Sequence, residues 1–319
     1  MNRTSIRRPA AIATALVLGL TLAACGNDEP STGGEDITGA VAVDGSSTVY
    51  PMSNAAAELL TEEHPKIETA VGFAGTGGGF ERFCAGETDI SDASRPIKED
   101  EEAPVCADAG IEYTELLVAT DALTVAVNPD LAVDCLTVDQ LIELFGPKSK
   151  VDNWKDLDPS FPDEKVSFYF PGADSGTYDY MAADVVGDDS EVLRDEGVES
   201  SEDDNVLVQG ISGTKGAVGF FGYTYYEENT DAVKALEIDN GAGCVAPSAE
   251  TAQAGDYAPL ARPLFIYVNN ASYADKPAVK AYVDFYIENL STIADAAKFI
   301  PLNEDDYAAT QEAVAGIGS

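Results

Sequence analysis

Residues 41–60 have the sequence VAVDGSSTVYPMSNAAAELL, and this stretch decides the fold. Val41 to Val43 predicts a short strand, residues 44–48 form a loop of glycine and hydroxyl side chains, and Pro51 to Glu63 predicts a helix. Proline suits the first turn of a helix, and the alanine-rich run after it is a strong helix former. The stretch therefore predicts a strand that passes through a polar loop into the N-terminus of a helix.

The same pattern occurs twice more, at GTGGGFERF (75–83) and GADSGTYDY (172–180). The strands and helices predicted around these loops are Glu68 to Phe73, Val166 to Phe170, Phe80 to Ala85, and Asp174 to about Val186. Helix N-termini present free N–H groups and a partial positive charge, which suit a small oxyanion. One such loop is usually only a helix cap. Three of them at the carboxyl ends of strands predict a shared oxyanion site.

The rest of the chain continues the alternation of strands and helices. Further strands are predicted at Leu116 to Val127, Gly216 to Tyr223 and Pro263 to Val268, and further helices at Leu136 to Phe145, Lys276 to Leu290 and Asp305 to Ala315. This order predicts an α/β protein with largely parallel sheets. With 319 residues, 45% of them hydrophobic, the chain has more core-forming material than one simple core usually holds, so two domains are expected.

The charge of the chain excludes whole classes of partner. The net charge of −39 would repel a nucleic-acid backbone and oppose docking on an anionic lipid surface. Nucleic-acid binding is therefore excluded, and any membrane attachment has to come from an anchor.

The N-terminus predicts export and lipidation. A basic start with Arg3, Arg7 and Arg8 precedes an apolar run from Ala10 to Ala24, which has the length of a signal peptide core. Small residues directly before Cys25 resemble a bacterial lipobox, so residues 1–24 are predicted to be removed and Cys25 to be lipidated. An ordinary leader with a chance cysteine is the alternative. Residues 25–36 predict a flexible tether, and loss of the three leader arginines takes the net charge from −39 to −42.

Four cysteines remain after Cys25, an even number in an exported protein, and this predicts two disulfides. Four cysteines allow three pairings, of which Cys84 with Cys106 and Cys135 with Cys244 is favoured because each pair falls within one part of the chain. A zinc site is the weaker alternative, since there is no Cys-x-x-Cys spacing and His64 is the single histidine. The acidic stretches lack EF-hand spacing, so no metal is expected.

No catalytic set is recognisable in the sequence. The glycine-rich loop is not followed by Gly-Lys-Ser/Thr, Ser175 lacks the G-x-S-x-G context, and a single histidine removes most histidine-dependent catalysis. Four arginines remain in the mature chain, and Arg95 in the segment DASRP could hold an anion with two parallel hydrogen bonds. A surface ion pair with one of the many acids is the alternative for Arg95.

With the segments VDGSSTVYP, GTGGGFERFCAGETDISDASRPI, PGADSGTYDYM, DNVLVQGISG and KGAVGFFGYTYY, the chain resembles the phosphate-binding proteins of the high-affinity phosphate ABC importer over roughly residues 41–301. The resemblance implies a periplasmic binding protein of type II, with two α/β lobes joined by two crossing strands. It also implies a monomeric, extracytoplasmic lipoprotein without enzymatic activity or cofactor, which clamps phosphate and delivers it to a membrane permease. The expected lobes are residues 37–123 with 264–319, and residues 124–263.

Matched motif by motif, the resemblance implies phosphate contacts from Ser46, Ser47, Thr48, Thr76, Gly77, Ser94, Arg95, Asp174, Ser175, Gly176 and Thr177. Many family members carry an arginine where this sequence has Pro171 and an aspartate near Ser94. The Ser-Arg-Pro variant of the family suggests that Arg95 replaces that arginine from the opposite lobe.

The carboxylate that accepts the phosphate proton is then unassigned, with Asp174, Asp92 and Asp44 as candidates in that order. Its identity decides specificity, because monohydrogen phosphate can donate a proton to a buried carboxylate and sulfate cannot. Two other functions stay open: a binding protein for another oxyanion, such as sulfate or molybdate, that feeds a sensor, and a surface phosphohydrolase. The absence of metal-ligating histidines argues against the hydrolase.

Overall fold

A computed structural model describes residues 37–173, 175–187 and 192–318 of the chain. The predicted signal peptide, the lipidation site Cys25, the tether and Asp174 lie outside the described residues. Within the described ranges, no helix has both the length and the apolar character needed to cross a membrane.

The first part of the chain contains β1 (Gly39–Gly45), α1 (Tyr50–Glu63), β2 (Ile67–Val71), α2 (Thr76–Cys84), β3 (Ile90–Ala93), α3 (Ala103–Ala109) and β4 (Tyr113–Val127). The middle contains β5 (Cys135–Thr137), α4 (Val138–Phe145), α5 (Trp154–Leu157), β6 (Ser167–Phe170), α6 (Gly176–Tyr180) with a π-helical continuation (Met181–Val186), β7 (Val198–Ser200), α7 (Asp204–Gly213), β8 (Ala217–Gly222), α8 (Tyr223–Glu228), β9 (Lys234–Ala235), β10 (Glu237–Asp239), β11 (Cys244–Val245) and α9 (Ala249–Gln253). The last part contains β12 (Ala261–Asn269), α10 (Asn270–Asp275), α11 (Pro277–Glu288), α12 (Leu290–Ala296) and α13 (Glu304–Gly316).

The main sheet has the strand order β2-β1-β3-β12-β4-β8-β6-β7, and β9 pairs with β4. Its flanks are parallel, as predicted: β1 pairs with β2 and β3, and β6 pairs with β7 and β8. Its centre is antiparallel, because β12 runs against β3 and β4, and β4 runs against β8. The prediction of largely parallel sheets is therefore wrong for the centre, where the chain leaves the first lobe along β4 and returns from the middle residues along β12.

The two largest hydrophobic cores of the described residues lie in different parts of the molecule, and β4 contributes to both. Leu116 and Val118 of β4 pack with the first core, which includes side chains of β1, α1, α11 and α12. Leu123 and Val125 of the same strand pack with the second core, around Phe145, Trp154, Phe168 and Phe220. Two α/β lobes joined by β4 and β12 result, as predicted.

Glycines at the end of β1 and in α2 bring these two elements together. Gly45 has φ 144°, and a Cβ atom there would lie 2.1 Å from the Asp92 carbonyl oxygen. A Cβ atom on Gly79 would lie 2.5 Å from Gly45 Cα. The helix can therefore pack directly on the strand end, and it begins at Thr76, earlier than the predicted Phe80.

Both predicted disulfides are present. Cys84 of α2 is bonded to Cys106 of α3, and Cys135 of β5 is bonded to Cys244 of β11 in the small sheet β11-β10-β5. The favoured pairing among the three possibilities is confirmed. His64, the C-cap residue of α1, donates its backbone N–H to Leu60 O at 2.7 Å.

Candidate functional site

A cavity of about 280 Å³ lies where the two lobes meet. The first lobe lines it with the loop after β1 and the segment after α12, and the second lobe with the N-termini of α6 and α7 and the start of α8. The lining residues are Ser47, Thr48, Pro51, Asp121, Gly176, Thr177, Asp204, Gly222, Thr224, Tyr225, Ala297, Lys298 and Phe299. Four of the eleven predicted contact residues are among them.

The first polar loop presents two of its hydroxyl side chains to the cavity. Ser46 is buried: its Oγ accepts the Thr48 backbone N–H at 3.2 Å, and its own N–H donates to Asp92 O at 2.9 Å. Ser46 therefore shapes the turn, while Ser47 and Thr48 line the cavity.

The second loop forms a neighbouring group on the first lobe. The Thr76 and Ser94 hydroxyls lie 3.1 Å apart, and the Ser94 backbone N–H donates to Thr76 Oγ1 at 3.2 Å. A Cβ atom on Gly77 would lie 4.0 Å from Arg95 Nη2. The structure thus brings these four predicted residues together, and none of them lines the cavity.

Arg95 makes the ion pair that was its alternative role. Its Nη1 and Nη2 donate to the two carboxylate oxygens of Glu102 at 2.8 and 2.7 Å, and its guanidinium lies 5.7 Å from the Phe80 ring centre. The hydrogen bonds with Glu102 raise the pKa of Arg95 above its ordinary value, so the side chain is a fixed cation. The pair sets the plane of the guanidinium, whose side chain is 36% exposed.

The third loop faces the first across the boundary between the lobes. Ser175 caps α6, its Oγ accepting the Thr177 backbone N–H at 3.2 Å. A Cβ atom on Gly176 would lie 3.9 Å from Thr48 Oγ1. The start of α6 and the first loop are therefore near neighbours.

Two of the three candidate carboxylates already have hydrogen-bond or ion-pair partners within the first lobe. Asp44 is ion-paired with Arg82, and its Oδ1 accepts the N–H groups of Gly45 and Ala74 at 2.8 Å each. Asp92 is fully buried, and its Oδ1 accepts the Ser53 hydroxyl at 2.7 Å. Neither side chain lines the cavity.

Sequence reasoning missed three charged residues of this region. Asp121 of β4 lines the cavity, is buried, and is opposite Arg262 of β12 in the strand register. Arg262 Nε donates to Asp121 Oδ2 at 3.2 Å. Burial raises the pKa of Asp121 above its ordinary value, and Arg262 opposes that shift. Asp204, at the start of α7, has a pKa of about 6 through burial and the neighbouring Asp203 and Glu202.

The sequence around Asp121 and Arg262 contains a signal that could have predicted that both charges are paired. Asp121 and Arg262 are isolated charges within two otherwise apolar strand patterns, DALTVAV and ARPLFIYV. Charges in buried strands are rare unless they are paired.

Comparison with known proteins identifies the superfamily of the chain. The family model described as the PBP superfamily domain matches residues 30–289. The chain belongs to the PBP superfamily. Membership confirms the predicted fold class of two α/β lobes.

Among relatives within this superfamily, Protein SphX of Synechococcus elongatus is 46% identical over 279 residues, covering 85% of this chain and 80% of the relative. The phosphate-binding protein PstS of Staphylococcus epidermidis is 38% identical over 297 residues, covering 92% and 89%. The crystal structure of a possible phosphate binding protein from Planctomyces limnophilus is 38% identical, with a TM-score of 0.84 over 89% of this chain and 100% of that chain.

Proposed function

We propose that this protein binds inorganic phosphate outside the cytoplasmic membrane and delivers it to the permease of an ABC transporter. The observation behind the proposal is that the first polar loop, on one lobe, meets the N-terminus of α6 on the other lobe. A Cβ atom added to Gly176 would lie 3.9 Å from Thr48 Oγ1. Relatives named for phosphate binding support the choice of anion. The role is capture and release, not catalysis.

The proposed contacts divide between the two lobes. Hydroxyl groups and backbone N–H groups of the three loops would donate to phosphate oxygens, and Arg95 would supply positive charge as in the Ser-Arg-Pro variant. These residues are Ser46, Ser47, Thr48, Thr76, Gly77, Ser94 and Arg95 on the first lobe, and Asp174, Ser175, Gly176 and Thr177 on the second. An anion held from both sides favours the closed arrangement, so closure accompanies binding.

For the carboxylate that accepts the phosphate proton, we propose Asp121. Asp121 lines the cavity, and its Oδ2 accepts a hydrogen bond from Arg262. Its Oδ1 has no hydrogen-bond partner among the described residues and can accept the phosphate proton. The Asp121→Asn variant should narrow the preference for phosphate over sulfate, because an amide no longer repels sulfate. An unchanged preference would return the role to Asp174, which an Asp174→Asn variant tests.

The lobe boundaries and the attachment are part of the same proposal. Residues 37–123 with 264–319 would form one rigid body and residues 124–263 the other, with a monomer as the working unit. Lipid on Cys25, followed by the tether at 25–36, would hold the domain at the outer face of the membrane. Mass spectrometry of the membrane-extracted protein should then find Cys25 as the N-terminal residue, carrying acyl chains; an unmodified Cys25 or a different N-terminus would exclude lipid anchoring at this residue.

Calorimetric titration tests the function directly. The protein from Gly26 to Ser319, freed of bound anions, should bind one phosphate tightly and give no response to sulfate at neutral pH and fixed salt. Equal responses to both anions would indicate a general oxyanion site, and silence with phosphate would overturn the proposal. Turnover of an aryl phosphate would indicate the phosphohydrolase instead.

A further inference from the structure

Arg262 occupies an unusual position for a charged side chain. It stands on β12, one of the two strands that join the lobes, and only 13% of its side chain is exposed. Its guanidinium lies 3.6 Å from the Tyr180 ring centre. A cation kept this far from water needs several partners, and Arg262 has them.

The partners of Arg262 come from both lobes. Nε donates to Asp121 Oδ2 at 3.2 Å, and Nη1 donates to Asp184 Oδ2 at 2.6 Å. Nη2 donates to Thr48 Oγ1 at 2.9 Å. Thr48 belongs to the first lobe, whereas Tyr180 and Asp184 belong to the second. The guanidinium therefore connects the first polar loop to the opposite lobe.

The hydrogen bond to Thr48 has a defined direction. Arginine can only donate, so the Thr48 oxygen must be the acceptor. A hydroxyl has one proton and two acceptor lone pairs, and Arg262 uses one of those lone pairs. Among the described residues no acceptor takes the Thr48 proton. The hydroxyl is thus prepared to donate to a ligand in the cavity that it lines.

Two acids hold the guanidinium in this orientation. Asp121 is buried and fixes Nε, while Asp184 is 55% exposed and fixes Nη1 from the second lobe. Asp184 also acts electrostatically on Arg95, so its carboxylate lies within range of both arginines. With Nε and Nη1 fixed, the planar guanidinium leaves Nη2 directed at Thr48.

We infer that Arg262 is a positioning residue for anion binding: it directs the proton of the Thr48 hydroxyl into the cleft, and does so by linking the Thr48 loop to Asp184 of the other lobe. The inference rests on the proposed function, phosphate binding. According to this inference, the Thr48 hydroxyl contributes to phosphate affinity only when Arg262 is present.

A double-mutant cycle tests this dependence. Arg262→Met keeps the length of the side chain and removes its donors, and Thr48→Val removes the hydroxyl. Each single variant should weaken phosphate binding at least about tenfold, the scale of a charge-assisted hydrogen bond. The double variant should bind about as weakly as the weaker single variant. A loss equal to the product of the two single losses, or full affinity in Arg262→Met, would overturn the inference.

Asp184→Asn provides a second test, which leaves the buried ion pair of Arg262 and Asp121 in place. Loss of a negative charge near an anion site should by itself strengthen phosphate binding. Positioning through Asp184 predicts the opposite, at least about threefold weaker binding, and no further loss when Thr48 is already valine. Stronger binding in Asp184→Asn would contradict the role of Asp184. This arm remains decisive if Arg262→Met does not fold.

Lys215→Met is the matched control, because it removes an exposed cation of the second lobe that pairs with Glu164 away from the cavity. Its phosphate affinity should stay within about twofold of the unmodified protein. The unmodified protein is titrated first. If it does not bind phosphate, the proposed function fails and the inference with it; if it binds and the cycle is additive, only the role of Arg262 fails.

Discussion

At the scale of single residues, Asp92 shows how an acid is accommodated beneath the polar loops. It is the last residue but one of β3, its carbonyl accepts the Ser46 N–H of the first loop, and its side chain is fully buried. Oδ1 accepts the Ser53 hydroxyl, while Oδ2 has no partner among the described residues. Burial raises the pKa of Asp92 to about 8, with Asp44 adding to the shift, so the protonated form predominates at neutral pH.

This raised pKa makes stability depend on pH. Because the folded-state pKa of about 8 is above the ordinary value of 3.8, the contribution of Asp92 is fully present below pH 4 and is lost as the pH rises toward 8. Asp92→Asn mimics the neutral acid and should be the more stable protein at pH 8, with little difference at pH 4. Thermal unfolding at both pH values measures this, and a difference independent of pH would contradict it.

At the scale of elements, the contact between α2 and β1 depends on glycine. A Cβ atom on Gly79 would lie 2.5 Å from Gly45 Cα and 2.9 Å from Ser91 Oγ, so α2 would have to move away from the strand. Gly79→Ala should lower the free energy of unfolding by about 1–3 kcal/mol. It should also weaken phosphate binding, because a shift of α2 moves Thr76, the first residue of that helix and a proposed phosphate contact.

The control for Gly79 is Gly213, the last residue of α7, where an added Cβ would meet nothing within 4 Å. Gly213→Ala should leave stability equal or higher by up to about 1 kcal/mol. Denaturant unfolding and phosphate titration compare the two variants. Equal behaviour of both would show that the close packing of α2 on β1 is not required.

The end of α12 is strained at Lys298. This is the sole non-glycine residue with a positive φ among the described residues, at 63°, in the position after the helix C-cap where glycine is favoured. Its carbonyl accepts the Thr224 hydroxyl at 2.9 Å, and its Nζ lies 3.0 Å from Glu228 Oε1. The residue thus links the segment after α12 to α8 of the other lobe.

Two variants of Lys298 separate strain from charge. Lys298→Gly and Lys298→Ala both lose the ammonium group, but only glycine relieves the left-handed backbone. Lys298→Gly should therefore be more stable than Lys298→Ala by about 1 kcal/mol in denaturant unfolding. The reverse order would show that the backbone at this position is not strained.

At the scale of the whole molecule, the sequence predicts the two-lobe fold class and local patterns, but not the long-range pairings between strands. The three polar loops are local patterns, visible as DGSST, GTGGG and DSGT, and the even number of cysteines predicts two disulfides. The antiparallel centre of the sheet and the Arg262–Asp121 pair join residues 141 positions apart, and no local pattern specifies such a pairing. The sequence pattern around Arg262 therefore gives this residue no predicted role.

The net charge of −39 predicts that the rate of anion capture depends on salt. Screening is weak at about 0.01 M salt, where the Debye length is about 30 Å, and strong at about 0.15 M, where it is about 8 Å. Phosphate should therefore associate more slowly at low salt. Stopped-flow measurement of the association rate tests this, and a rate independent of salt would rule out a repulsive surface field.

The central claim is that phosphate is held between the lobes by loops from both. A crystal structure of the protein with phosphate tests it most directly. The anion is predicted within hydrogen-bond distance of Thr48 Oγ1 on one lobe and of the Gly176 and Thr177 N–H groups on the other. Phosphate bound to one lobe alone, or elsewhere with these loops unoccupied, would contradict the account.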